Sequence, residues 1–300
     1  MSDTEKIRKG EKYMVKILLG LLILFSIVFA VFLLKDVFTH KDEWEEVKPV
    51  HNGIIGFVAN FFDTLGIGSF AIATSYWKIT KSLRDDLVPG TLNVCFALCV
   101  VTEALVFIQK VECDSVTLVT MIVASCIGAV VGAKFIVGLD INKIRFLLGV
   151  CLIIVAVIMS CKNAGIGPFG MIGTATGVSG VKLIIAIVVN FILGGLMMCG
   201  IGLYAPCMAL VLLLDMSTAT AFPIMMGSCA FLMIAGGFEF VKAGKYARGN
   251  CLWLLIPGII GVLVACFIIT SLPLKVLTYL VCIVLLYCGY IFIKEAKAKK

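Results

Sequence analysis

Charge is scarce in this chain. Only 14% of its 300 residues are Asp, Glu, Lys or Arg, against roughly a quarter in soluble domains, so a soluble globular protein of ordinary composition is excluded. Histidine is scarcer still. His40 and His51 are the only two, and both lie in or beside one acidic loop. With no His-rich cluster, no metal centre is expected, and a membrane-embedded enzyme, which needs a nucleophile with its base or a set of metal ligands facing a cavity, becomes the weaker alternative. The thirteen cysteines contain no C-x-x-C pair, which removes the common zinc and dithiol signatures. There is no G-x-x-x-x-G-K-[ST] loop, and so nothing that suggests ATP use. No cofactor is expected. Long polar stretches are missing too: the longest, Lys35 to His51, has the length of a loop.

What the chain has is apolar length. It is 61% hydrophobic with a mean hydropathy of +1.13, and it holds many apolar stretches of about 20 residues, the length a bilayer core demands. The expected fold class is therefore all-α: a polytopic membrane protein of about eight to ten transmembrane helices, with the lipid bilayer as its medium. The net charge of +7 is not a nucleic-acid signal, because the basic residues sit at the ends of apolar spans. The cysteines lie mostly inside spans and read as small packing residues. A sulfur-handling role for Cys95, Cys199 or Cys229 is the sharper alternative, and nothing requires it. The oligomeric state is not legible.

The most informative feature is a duplication. Leu65-Gly66-Ile67-Gly68 is answered 134 residues later by Cys199-Gly200-Ile201-Gly202, and Pro89 by Pro223 at the same offset. Phe57 and Phe191, Ala71 and Ala205, Cys95 and Cys229, and Leu98 and Leu232 also match there. A glycine break at membrane depth strands backbone N–H and C=O groups, and lipid cannot satisfy them. Paired breaks in two halves point to a transporter's binding site. A purely structural or partner-binding membrane protein would not need them.

The charge pattern predicts the organisation. Residues 1–50 hold a basic cytoplasmic N-terminus (Lys6, Arg8, Lys9, Lys12, Lys16), a retained signal-anchor helix around Ile17–Leu34, and an acidic loop (Asp36, Asp42, Glu43, Glu45, Glu46) expected outside. Residues 51–161 form the first repeat, 162–180 a glycine-rich connection, 181–293 the second repeat, and 294–300 a basic tail. Loops with Lys78, Lys81 and Arg84, with Lys143 and Arg145, and with Lys242, Lys245 and Arg248 are expected inside, as is the tail. One span plus four and four would put the tail outside. An even count would restore the rule, and the extra crossing would involve Asn163–Gly180, which reads equally as a span, a re-entrant segment or part of a long broken helix; if it crosses, the repeats become inverted, the arrangement alternating-access transporters use.

The candidate site follows from the breaks. Gly66, Gly68, Gly200 and Gly202 shape them, and Gly194 and Gly195 read as a hinge. A helix that restarts after a break carries about half a positive charge at its N-terminus, which suits a small anion. The competing reading is that these glycines only permit close helix packing, as Gly128 and Gly132 do. Ser69, Asn93, Tyr204 and Ser228 are candidate side-chain donors to the anion. Pro89 and Pro223 are either simple helix starts or present polar atoms of their segments to the same cavity. Asp63, beside the first break, is the candidate coupling acid for a proton or cation; its counterpart in the second repeat is Met197. Glu103, Glu239, Lys134 and Lys182 lie toward span ends, where long side chains reach the interface.

Around these breaks the chain resembles the TauE/SafE family of sulfite-exporter and sulfonate-uptake permeases. That family repeats a pattern of the type G-x-x-G-x-x-x-G-x-G-G-G. Here the first copy is Gly53 and Gly56, then Asp63-Thr64-Leu65-Gly66-Ile67-Gly68-Ser69-Phe70; the second is Gly194-Gly195, then Cys199 through Pro206. Ala221 to Ser228 resembles the segment after the second turn. The resemblance spans about His51 to Ile293, and both copies thin the glycine run, at Ser69-Phe70 and at Leu203-Tyr204. It implies export or uptake of a small sulfur-containing anion, driven by an ion gradient, in a bacterial cytoplasmic membrane.

Overall fold

The structure is a computed structural model, and it describes residues 3–84, 86–132, 141–166, 173–198 and 201–298. Gly200, Cys199, Lys134, Gly167 and Gly170 therefore lie outside the described residues. Within them the regular elements are helices: α1 (Asp3–Thr39), α2 (Pro49–Thr64), α3 (Ser69–Thr80), α4 (Val88–Cys95), α5 (Ala97–Lys110), α6 (Ser115–Ile127) running into a π turn (Gly128–Gly132), α7 (Ile141–Ala164), α8 (Gly180–Met198), α9 (Tyr204–Leu213), α10 (Ala221–Lys242), α11 (Cys251–Ser271) and α12 (Leu274–Ala298). Seven described helices are long and apolar enough to cross a membrane, with Ser115–Val131 and Tyr204–Leu213 as shorter apolar helices. The chain is an all-α, polytopic membrane protein.

It forms two compact units interleaved in sequence. The first holds residues 16–106 and 229–268; the second holds 107–228 and 269–300 with the first fifteen residues.

In the first unit, α1 packs on α10 through edge-on aromatic pairs, Phe25 with Phe231 and Phe29 with Phe238. The opening element of the first repeat is a re-entrant hairpin. His51 Nδ1, at the start of α2, lies 2.6 Å from Tyr76 Oη, near the end of α3, so the two arms run antiparallel and enter and leave at the same end. Sixteen residues make α2, about 24 Å of helix, which carries the turn deep into a hydrocarbon core of about 30 Å.

That end of the unit gathers loops the charge rule had separated. Arg248 Nε donates to Asp36 Oδ2 at 2.8 Å and pairs with Glu43 through its other arm; Tyr246 Oη donates to Asp36 at 2.7 Å. Asn250 donates through its backbone and its amide to Glu45 Oε1. Glu45, Glu46 and Lys48 share a cleft with Lys78, Lys81 and Arg84. The acidic loop and two loops expected on the opposite side thus lie together, because the ion pairs that join them span about two hundred residues and a local count of Lys and Arg does not see them. Single cysteines replacing Asp42 and Lys242 are expected to react with an impermeant thiol reagent from the same side of sealed vesicles; labelling from opposite sides would contradict this fold.

In the second unit, α7 and α12 pair antiparallel: Arg145 faces Glu295, Gly149 meets Gly289, and the Asn163 amide donates to Lys275 O. The second opening element is also re-entrant. Lys182 Nζ, at the start of α8, donates to Leu214 O at 3.3 Å and to Asp215 Oδ2 at 3.1 Å, just past the end of α9. Lys162 Nζ, in the last turn of α7, reaches Asp215 Oδ1 at 3.2 Å. Residues 163–180 therefore begin and end at one end of the unit, tied there by Asp114 N–H to Thr176 O and Ser217 N–H to Ala175 O. Of the readings open for this segment, ends that lie together do not fit a single crossing.

Bonds from Lys182 and Lys162 hold the Asp215 carboxyl below the usual carboxylate range. A lowered value stabilises the fold above that range and is lost as the pH falls through it. Asp215→Asn, which tolerates the positive φ of 62° there, is expected to cost no more than about 1 kcal/mol at neutral pH, since the pairs are exposed. The gap from wild type should close toward pH 4 (roughly the carboxylate range) in thermal unfolding.

Each hairpin's first arm is seated the same way. In the first unit, a Cβ on Gly261 would sit 2.4 Å from Phe57 O, and one on Gly56 2.3 Å from Leu254 O; Gly258 abuts Asn60. In the second, a Cβ on Gly128 would sit 1.8 Å from Phe191 O, and one on Gly194 2.0 Å from Ser125 O, while Asn190 Nδ2 donates to Met121 O at 2.7 Å. Residues 254, 258 and 261 of α11 thus do what 121, 125 and 128 do on α6 and its π turn. The hairpin partners are related by the duplication offset of 134, and the helices beneath them by one residue less. Small residues three apart, Gly258 with Gly261 and Ser125 with Gly128, let backbones approach closely where lipid supplies no hydrophobic drive.

Candidate functional site

The two hairpin tips share one backbone hydrogen bond. At the first, Gly66 N–H donates to Asp63 O at 2.7 Å and Ile67 N–H to Phe62 O at 3.2 Å. These are the two bonds of a Schellman cap, and Gly66 takes the left-handed φ of 92° that the cap needs. At the second, Ile201 N–H donates to Leu196 O at 3.1 Å, the same bond 134 residues on. Each cap closes the incoming helix, and a short turn then starts the outgoing one. Gly68, with φ 95°, and Gly202 both leave open space where a Cβ would project. Both tips therefore leave room beside the N-terminus of a restarting helix, where the first amides have no partner within the helix.

The tips differ in charge. At the first, Asp63 is buried and its Oδ1 accepts the Ser69 N–H at 2.7 Å. The chain thus places its own carboxylate on the restarting helix, where free donors for an anion were expected. Thr64, also buried, donates its Oγ1 to Asn60 O and to Glu103 Oε1 at 2.8 Å. Glu103 is 0% exposed. It was expected to reach the interface; the structure packs it inside the first unit. The second tip has no acidic residue between Leu196 and Leu214. Tyr204 starts α9 there and is buried, and Gly202 is exposed.

The remaining candidates lie away from the tips. Asn93 donates its amide to Pro89 O within α4, ten residues and so about 15 Å of helix from Glu103. Pro89 occupies the first turn of α4, as a helix start would. Around it a Cβ on Gly90 would sit 1.7 Å from Lys245 O, and Thr91 Oγ1 accepts the Ala247 N–H. Pro223 is in the first turn of α10. Ser228 is buried and accepts from Asn190 Nδ2 at 3.3 Å, part-way along α8. Helix α8 runs unbroken through Gly194 and Gly195, and Gly194 serves the close approach to Ser125. Glu103 is the residue that sequence reasoning passed over. A carboxyl in an apolar helix was the available signal, but its partner Thr64 is 39 residues away.

A family description, Sulfite exporter TauE/SafE, matches residues 8–159, half the chain. The chain belongs to the TauE/SafE family. The match covers α1, the first hairpin and most of α7, and the duplicated cap links the second hairpin to the first. No curated protein and no solved structure matches the chain. TauE/SafE proteins are transporters, so the chain is a multi-pass membrane transporter and not an enzyme.

Proposed function

We propose that this TauE/SafE protein moves a small sulfur-containing anion, sulfite or an organosulfonate, across the cytoplasmic membrane by alternating access. The observation that carries the reading is the pair of re-entrant hairpins with one cap, each turning at an open glycine before a restarting helix. Backbone N–H groups at such a terminus hold an anion without a buried arginine. Gly66, Gly68, Gly200 and Gly202 shape the turns. Ser69 and Tyr204 stand in the first turn of the restarting helices; Ser228 and Asn93 act from further along the spans. The second tip, free of acid, is the better anion donor.

The test is thermal unfolding of the purified protein with sulfite, sulfate, taurine, sulfoacetate, acetate and chloride at matched ionic strength. A ligand at a hundred times its dissociation constant stabilises by about 2.7 kcal/mol. A shift confined to one sulfur anion is the expected result. No shift with any of them, from protein that unfolds cooperatively, would overturn the substrate class.

A further inference from the structure

The first hairpin holds two carboxyls that anion binding by itself does not use. Asp63 and Glu103 are both buried, 4% and 0% exposed, and consecutive residues of the tip each carry one contact: Asp63 accepts the Ser69 N–H, and Thr64 donates to Glu103 Oε1. No lysine or arginine occurs in α2 or α11, and α5 has only Lys110 at its far end. The groups facing the pair from neighbouring elements are few. On α5 itself Cys99 lies one turn from Glu103 and donates to Leu255 O of α11 at 3.6 Å. Helix α11, which meets Cys99 and Asn60 at Gly258, has no charged residue; on α3 and α1 the nearest charges, Lys78 and Lys35 with Asp36, stand at the loop end. A second observation is independent of the carboxyls. Ser69 Oγ and Asn60 Oδ1 are buried oxygens with no hydrogen-bond partner in the structure, and Ser69 is the residue whose N–H the Asp63 carboxyl accepts.

We propose that Asp63 and Glu103, bonded to Ser69 and Thr64 respectively at the same tip, form the site of a transported proton, so that the two hairpins divide the work: the first carries the coupling ion and the second the anion. This rests on the transport reading above. A carboxylate at membrane depth is costly without a cation, and a proton on either carboxyl removes the charge by forming one O–H bond. Protonated Asp63 has an unpartnered acceptor beside it in Ser69 Oγ. Ionised Asp63 holds the Ser69 N–H and the positive end of α3. Loading a proton weakens that hold on the first tip.

Two measurements test this. Infrared spectra of the full chain in lipid should show a protonated-carboxyl C=O band that titrates with pH and weakens separately in Asp63→Asn and Glu103→Gln. A band unchanged in both variants would overturn the proposal whatever the protein transports. In vesicles loaded with sulfite, Glu103→Gln should lose accumulation driven by a pH gradient about tenfold more than it loses sulfite exchange, a coupling effect of ordinary size. Equal loss of both, or accumulation that follows a sodium gradient, would overturn it. Wild-type protein that exchanges no sulfite would instead sink the substrate assignment, and the infrared result would still judge the proton site.

Discussion

Replacing Gly128 with valine is expected to destabilise the second unit by about 3 kcal/mol, the upper end of overpacking costs, and to lower the thermal midpoint of the purified protein accordingly. The reason is positional. The added Cβ would lie 1.8 Å from Phe191 O and 2.7 Å from its carbonyl carbon, and these are backbone atoms in the middle of α8, which cannot move without breaking the helix ladder. Gly261→Val tests the matching contact on Phe57, where the Cβ would lie 2.4 Å from the carbonyl oxygen, and should cost less. An unchanged midpoint in Gly128→Val would mean that α6 and α8 do not meet in this register, and the structural equivalence of the two hairpins would fall with it.

Gly68→Leu is expected to do the opposite: abolish transport while leaving folded protein in the membrane. Nothing lies within 4 Å of a Cβ built there, so the first atom of the side chain meets no neighbour, and the backbone cost is the strain of a φ of 95°, about 1–3 kcal/mol for a side chain in so sparse a region. The leucine would fill the space beside the Ser69 N–H that the proposed cycle needs. Sulfite flux in vesicles, with surface expression and unfolding as controls, reads the outcome. Wild-type flux in this variant would remove the first hairpin tip from the mechanism. The two glycines thus separate two jobs, close approach at Gly128 and open space at Gly68.

The difference between such glycines was not legible in the sequence. Both sit in apolar stretches of sequence, and Gly194 read as a hinge although it lies within a continuous helix against Ser125. The same holds for the hairpins. An apolar segment interrupted by Gly66 and Gly68 has one composition whether it crosses with a kink or turns back; contact between His51 and Tyr76 decides. Charge misled for a related reason. Asp36 and Arg248 lie 212 residues apart, beyond any local count. Glu103 was missed because its position along the span resembles that of a side chain reaching for the interface.

The sequence by itself determined that this is an apolar, all-helical membrane protein and that a Gly-Ile-Gly phrase with a following proline recurs at an offset of 134, because hydropathy, register and glycine content are local properties of the chain. Tertiary structure alone decided that the breaks are tips of re-entrant hairpins, that the acidic and basic loops of the first unit share one end, and that Glu103 stands beside Thr64. Each depends on which distant backbone or side chain completes a hydrogen bond that lipid cannot supply, and that partner is chosen by packing.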